Sequence, residues 1–174
     1  MSEIIVTVFG TSKARPGDSE FELAEALGTL LAKNGYTIAN GGYDGTMYAA
    51  ARGAASMGGK VIGVTCTAFK SSANEFVTQE IPTDALEGRL RKLVQLGEAY
   101  VVLPGGTGTL LELAEVWELK NKRFFAADKP VIILGEFWKP LVELMKQQDE
   151  KCDKCLSFAA DPDEAVEIIN RILI

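Results

Sequence analysis

The chain has no histidine, and only three of its 174 residues are cysteine. Without an imidazole there is no Ser-His-Asp or Cys-His machinery, no histidine proton shuttle and no His-ligated zinc site. Any chemistry must then come from carboxylates, Lys, Arg, Tyr, hydroxyls or backbone dipoles. Cys66, Cys152 and Cys155 form an odd set, and the opening MSEIIVTV lacks the charged start and long apolar core of a signal peptide, so a reducing cytoplasm is the expected location. Cys152 and Cys155 form a CxxC pair, which supplies at most two zinc ligands, and its place just before the last strand and helix is peripheral. Reduced thiols are expected there, and no metal. No apolar run approaches the roughly 20 residues of a membrane-spanning helix, so no membrane association is expected. Basic residues are the minority, 18 Lys and Arg against 24 Asp and Glu for a net charge of −6, which argues against general nucleic-acid binding.

What is present is an ordinary globular composition, 47% hydrophobic and 24% charged. A chain of this length buries roughly 70% of its unfolded surface without needing disulfides or a structural metal. Ile4 to Phe9 is a β-branched run ending at Gly10-Thr11-Ser12, which reads as a buried strand and a turn. Phe21, Leu23, Ala24, Leu27, Leu30 and Leu31 then recur at helical spacing, with Asp18 or Ser19 as cap and Gly35 just past the end. The alternation continues through a strand at Tyr36–Asn40, an alanine-rich helix from Thr46 to Met57 and a strand at Lys60–Val64. A polar loop around Lys70–Gln79 follows, then helical spacing at Leu86, Leu90, Leu93, Val94 and Leu96, and a strand at Ala99–Leu103. A helix is expected from Thr109 to about Lys120, a strand at Val131–Leu134, a helix from about Trp138 to Gln148, and a last helix opened by Asp161-Pro162. No linker or internal repeat divides the chain. Apolar strands alternating with helices predict one α/β domain over residues 1–174. It should be Rossmann-like and doubly wound, with a mainly parallel sheet and helices on both faces. In such sheets ligands sit outside the strand carboxyl ends, which places the loops beginning at Gly10, Asn40, Thr65 and Pro104 on the candidate face.

The most informative segment is Pro104-Gly105-Gly106-Thr107-Gly108-Thr109-Leu110-Leu111-Glu112, where a strand hands over to a helix. Glycines let backbone approach a ligand closely, and exposed amides with the helix dipole favour an anion such as phosphate. Thr107 and Thr109 add hydroxyls, and Glu112 lies one turn beyond Thr109. A second glycine turn, Asn40-Gly41-Gly42-Tyr43-Asp44-Gly45-Thr46-Met47, follows the second strand, and two such turns on one sheet edge can hold two parts of one ligand. The plain alternative for each is a tight strand-to-helix connection, with Glu112 a solvated acid. Neither is the dinucleotide fingerprint G-x-G-x-x-G, and Gly58-Gly59-Lys60-Val61 lacks the hydroxyl of a phosphate-binding P-loop and precedes a strand. Arg89, Arg91 and Lys92 lie on the helix before the PGG loop, where they either meet an anionic ligand or form a solvated basic face. Trp117, Trp138 and Phe137 fall at apolar positions suited to core or subunit packing; Tyr43 is the aromatic expected near a ligand.

PGGTGTLLE, with the upstream VFGTS and GGYDGTM turns, resembles the LONELY GUY (LOG) family of nucleotide phosphoribohydrolases, whose signature is P-G-G-x-G-T-x-x-E. The broader group includes molybdenum-cofactor carrier proteins and many chains mislabelled lysine decarboxylases. The resemblance runs from about Ile4 to Leu134. It implies hydrolysis of the N-glycosidic bond of a purine riboside 5′-monophosphate, AMP-like or cytokinin-like, to free base and ribose 5-phosphate, with no metal or organic cofactor. The alternative is a carrier that binds a nucleotide or pterin phosphate without turnover. Carried over by position, Glu112 is the catalytic acid and Gly105, Gly106, Thr107, Gly108 and Thr109 hold the phosphate. Gly10, Thr11, Ser12, Gly41, Gly42 and Gly45 complete the binding loops. Counting back from Pro104 assigns the catalytic arginine to Arg89, whereas the adjacent Arg-Lys pair common in the family occurs here as Arg91-Lys92, which are kept as phosphate-binding candidates. Relatives assemble as homodimers or larger homo-oligomers, and the same is expected here.

Overall fold

The structure, a computed structural model, describes residues 3–125 and 128–174; the first two residues of the MSEIIVTV opening lie outside the described residues. Strand and helix alternate as β1 (Ile5–Phe9), α1 (Ser19–Lys33), β2 (Thr37–Asn40), α2 (Thr46–Ser56), β3 (Val61–Cys66), β4 (Gln79–Thr83), α3 (Leu86–Leu96), β5 (Ala99–Val102), α4 (Thr107–Asn121), β6 (Val131–Leu134), α5 (Lys139–Lys146), β7 (Ser157–Ala159) and α6 (Pro162–Leu173). All seven strands pair in parallel in the order β4-β3-β2-β1-β5-β6-β7. The Rossmann-like α/β reading holds. Strand order reverses between β1 and β5, where a crevice opens at the carboxyl edge of a doubly wound sheet.

Alternation of side chains along each strand divides the core in two. Val6, Val8, Ile38, Val61 and Val101 pack with Phe21, Leu27, Leu31, Ala50 and Ile169 beneath α1, α2 and α6. Phe9, Ala39, Ile62, Tyr100 and Val102 pack with Leu93, Leu113, Val116, Trp117 and Val142 beneath α3, α4 and α5. The polar side chains inside are tied to backbone: Thr7 donates to the Leu93 carbonyl, and the Tyr100 hydroxyl lies 2.6 Å from the Val94 carbonyl. Local signals end the elements as their chemistry demands. Gly35, at φ +81°, closes α1 with its amide on the Ala32 carbonyl, and Asp161 caps α6 by accepting from the Glu164 amide.

Three expectations need correction. β4 lies in and just after the stretch read as polar loop: QEIPT carries one aliphatic side chain besides its proline, and it is an edge strand, where Pro82 needs no ladder partner on its outer side. Helix α4 begins at Thr107 and not Thr109, because the weak helix formers Thr107 and Gly108 form its first turn over the crevice. Helix α5 is shorter than the apolar spacing suggested, ending at Lys146. Trp117 and Trp138 are buried as expected, and Phe137, outside the core of the single chain, meets Trp138 edge-on. Gly59 leads into β3 against Ala32, a packing role.

Candidate active site

Three strand-to-helix connections are stitched together at the carboxyl edge. Asn40, fully buried, accepts from the Gly42 amide and donates to the Met47 carbonyl, which folds the glycine turn after β2 into a compact bend. The bend places Gly45 (φ +67°) against the loop after β1: a Cβ there would stand 2.2 Å from the Thr11 carbonyl oxygen, so only glycine fits. The Thr46 amide and hydroxyl both donate to that same carbonyl, at 2.8 and 3.1 Å. The β1 loop is thereby held to the start of α2, and across the crevice it faces the first turn of α4, whose N-cap Gly106 offers no side chain to the helix amides.

Between these loops is a cleft of about 450 Å³. Gly10, Thr11, Ser12 and Lys13 line it from the β1 loop; Gly106, Thr107, Gly108, Thr109 and Glu112 line it from α4 and its cap; Tyr43, Met47, Phe69, Leu86 and Arg89 close the remaining side. Arg89 is the buried cation of this wall. Its Nε donates to the Val64 carbonyl at 2.8 Å, and its guanidinium lies 5.5 Å from the Tyr43 ring and 5.6 Å from the Phe69 ring. Those contacts fix its direction. Its Nη1 stands 3.9 Å from Glu112 Oε1, too far for a hydrogen bond, so both groups keep capacity for a ligand. Burial pushes the Glu112 carboxyl up to about 7, against the opposing pull of Arg89.

The remaining sequence candidates sit elsewhere. Gly105 packs against Thr109, where a Cβ would lie 2.2 Å from the hydroxyl, and with Pro104, Thr11 and Lys13 borders a neighbouring hollow of about 280 Å³. Gly41, Gly42 and Gly45 stand behind the lining: Gly41 leaves space for Arg89, whose Nη2 would be 1.7 Å from an added Cβ. Arg91 points to solvent and pairs with Glu87 at 3.3 Å, and Lys92 is absent from the lining. Sequence reasoning did not pick out Lys13, Met47, Phe69 or Leu86. Lys13 adjoins the GTS turn and Phe69 is an aromatic at the start of a polar stretch, which were the available signals. Among the described residues no group of three or more Cys, Asp or Glu is arranged to hold a metal ion, and the three cysteines are free, with the Cys152 carbonyl accepting from the Trp117 indole at 2.7 Å.

A family model described as the SLOG cluster4 family matches residues 3–166, nearly the whole chain and every element lining the cleft. The chain belongs to the SLOG cluster4 family. This SLOG chain is 31% identical to a cytokinin riboside 5′-monophosphate phosphoribohydrolase of Rhodococcoides fascians over 147 residues, covering 81% of this chain and 73% of that one. It is 30% identical to an uncharacterised protein of Archaeoglobus fulgidus, over 80% of this chain and 87% of that one. Among solved structures, the molybdenum cofactor binding protein of Rippkaea orientalis superposes with a TM-score of 0.84 at 26% identity, covering 100% of this chain and 99% of that one. The expected likeness to LOG proteins and to cofactor carriers of the same fold thus holds for this SLOG member.

Proposed function

We propose that the chain hydrolyses the N-glycosidic bond of a purine riboside 5′-monophosphate, using Glu112 and Arg89 as catalytic residues. The observation that carries this reading is a buried carboxylate titrating near neutrality beside a buried arginine, in a cleft whose other end is an uncapped helix N-terminus. Gly106 and Gly108 add to it. Apart from adjacent residues and the helix's own backbone, no described protein atom lies within 4 Å of where their Cβ atoms would be, so packing does not require glycine there and the backbone is open to close approach by a ligand.

In this reading the 5′-phosphate sits on the α4 amides with Thr107, Thr109 and Ser12, a fixed anchor that orients the sugar without entering the bond change. The C1′–N bond breaks with its electron pair leaving on the base, which takes up a proton from solvent; the proton that Glu112 later accepts from the attacking water returns to solvent. Positive charge develops at C1′ and the ring oxygen, and the ionised Glu112 stabilises it electrostatically. Water adds to C1′ and gives its proton to the same carboxylate. Arg89 faces the sugar beside Glu112 and keeps enough of that carboxylate ionised to act near pH 7. No cofactor or metal enters this scheme.

The whole-chain match to a cofactor-binding protein favours a second reading, a carrier that uses the cleft without turnover. Purified protein incubated with AMP and related monophosphates separates the two. Free base should appear, and Glu112→Ala and Arg89→Ala should each lower the rate by about 100-fold or more. Absence of release across a purine panel, with tight retention of ligand indifferent to Glu112→Ala but lost on Gly106→Val, establishes the carrier instead.

We also propose that the chain forms a homo-oligomer through the outer side of α4. Leu110 and Leu111 are exposed there, beside an apolar groove of about 340 Å³ whose walls include Trp117, Leu141 and Met145.

A further inference from the structure

Arg89 is a charge taken almost wholly out of water, with 10% of its side chain exposed. Its guanidinium carries five donors, yet among the described residues it makes one hydrogen bond to oxygen, the 2.8 Å bond from Nε to the Val64 carbonyl. Nη2 stands 3.9 Å from Met47 Sδ and Nη1 3.9 Å from Glu112 Oε1. A buried cation so sparsely paired needs other compensation. Two ring faces supply it: the guanidinium lies over Tyr43 at 5.5 Å and over Phe69 at 5.6 Å, within reach of a cation–π interaction with each. The rings are 5.9 Å apart and tilted by 56°, so together they form a corner rather than a single platform.

The parts of this corner share one origin, the carboxyl end of β3. Val64 belongs to that strand. The Tyr43 hydroxyl accepts from the Cys66 amide at 2.7 Å and donates to the Cys66 carbonyl at 3.1 Å, which pins the ring to the last residue of β3. Phe69 ends the 3-10 turn Thr67–Phe69 that leaves the strand, closed by Lys70 in the left-handed region at φ +53°. Phe69 is 44% exposed and packs into neither half of the core; its ring is spent on Tyr43 and Arg89. Arg89 thus arrives from α3 at a seat that α3 does not build.

We propose that Phe69 is a positioning residue for Arg89, and that the carboxyl end of β3 with the Tyr43 and Phe69 rings is a seat for a guanidinium ion, able to hold a free one when the Arg89 arm is removed. An aliphatic side chain at position 69 would still cover the cation from water. It has no quadrupole to attract it, so the seat requires an aromatic face there. The kinetic consequence rests on the hydrolase reading above; the seat itself does not.

Two measurements on the full chain test this. The Arg89 Nε–H gives a signal in nitrogen-edited proton NMR that Arg89→Lys removes, and its buried bond to Val64 should make exchange with solvent slow. Phe69→Leu should speed that exchange about tenfold or more and lower kcat for AMP hydrolysis by a similar factor, while Phe69→Tyr should retain the parental values. In Arg89→Ala, guanidinium chloride at about 10 mM, with potassium chloride as ionic control, should raise hydrolysis about tenfold. Adding Phe69→Leu should abolish that rescue, and adding Phe69→Tyr should preserve it. Parental Nε–H exchange in Phe69→Leu, a loss that Phe69→Tyr fails to repair, or a rescue that survives Phe69→Leu overturns the proposal and leaves the hydrolase reading in place. A parent chain that hydrolyses no nucleotide removes that reading, and the exchange rate then decides the seat by itself.

Discussion

Glu112 is the residue in which stability and chemistry meet. The usual carboxyl value is 4.5 and burial raises it to about 7 in the folded chain. Between those values the folded state holds more protons than the unfolded state. The contribution of this group to stability is therefore complete below about pH 4.5, declines as pH rises, and is gone above about 7. The penalty for ionising it is on the order of 2–4 kcal/mol. Glu112→Gln should accordingly raise the melting temperature at pH 8 and change it little at pH 4.5; thermal unfolding of both proteins across that range checks it, and a difference independent of pH refutes the assignment. Other acids act in the opposite sense. Glu25, hydrogen-bonded to Arg52 at 2.6 Å, has its carboxyl lowered and loses stability toward acid, which is why the comparison must be between variant and parent.

At the scale of elements, the turn after β2 and helix α3 determine where Arg89 points. An alanine Cβ at Gly41 would stand 1.7 Å from Arg89 Nη2, 2.6 Å from Met47 Sδ and 2.9 Å from Arg89 Cζ, all on side chains and none on backbone. The two side chains therefore yield and the fold survives. Gly41→Ala should cost less than about 1 kcal/mol of stability, as for a substitution that strains no backbone. It should lower catalytic efficiency at least tenfold by turning the guanidinium away from Glu112; unchanged kinetics would show that the contact does not position Arg89. This dependence is invisible in the sequence, where Gly41 reads as ligand-facing, because the space it leaves is filled by a side chain 48 positions later. Strands β1, β2, β3, β5 and β6 were legible since their buried β-branched runs admit one interpretation. β4 was not, because an exposed edge strand has no apolar alternation to show. The glycine-rich start of α4 was legible as a strand-to-helix connection on the candidate face but not as helix, since its threonines and glycines weaken the helical signal. The opposite end of the cleft was illegible for a further reason: Phe69 and Leu86 belong to segments brought together only by the pairing of β3 with β4.

For the whole molecule, α4 links the cleft to the outer surface. Leu113, Val116 and Trp117 bury its inner side, its first turn faces the crevice, and Leu110 and Leu111 remain on the outside next to Glu112 in sequence. A helix apolar on both sides is unusual unless both are covered. Leu110 and Met145 border the adjoining groove, where a second copy presenting the same surface would bury both by two-fold symmetry. The chain, 18.8 kDa alone, should therefore sediment as a dimer or larger assembly at micromolar concentration. Leu110→Glu, which introduces a charge where desolvation is required, should shift it toward monomer. Because Leu110 lies two positions before Glu112, dissociation should also reduce activity by freeing the first turns of α4. A parent chain that remains monomeric throughout sedimentation at tens of micromolar would leave this surface without the assigned role, while the cleft chemistry would stand.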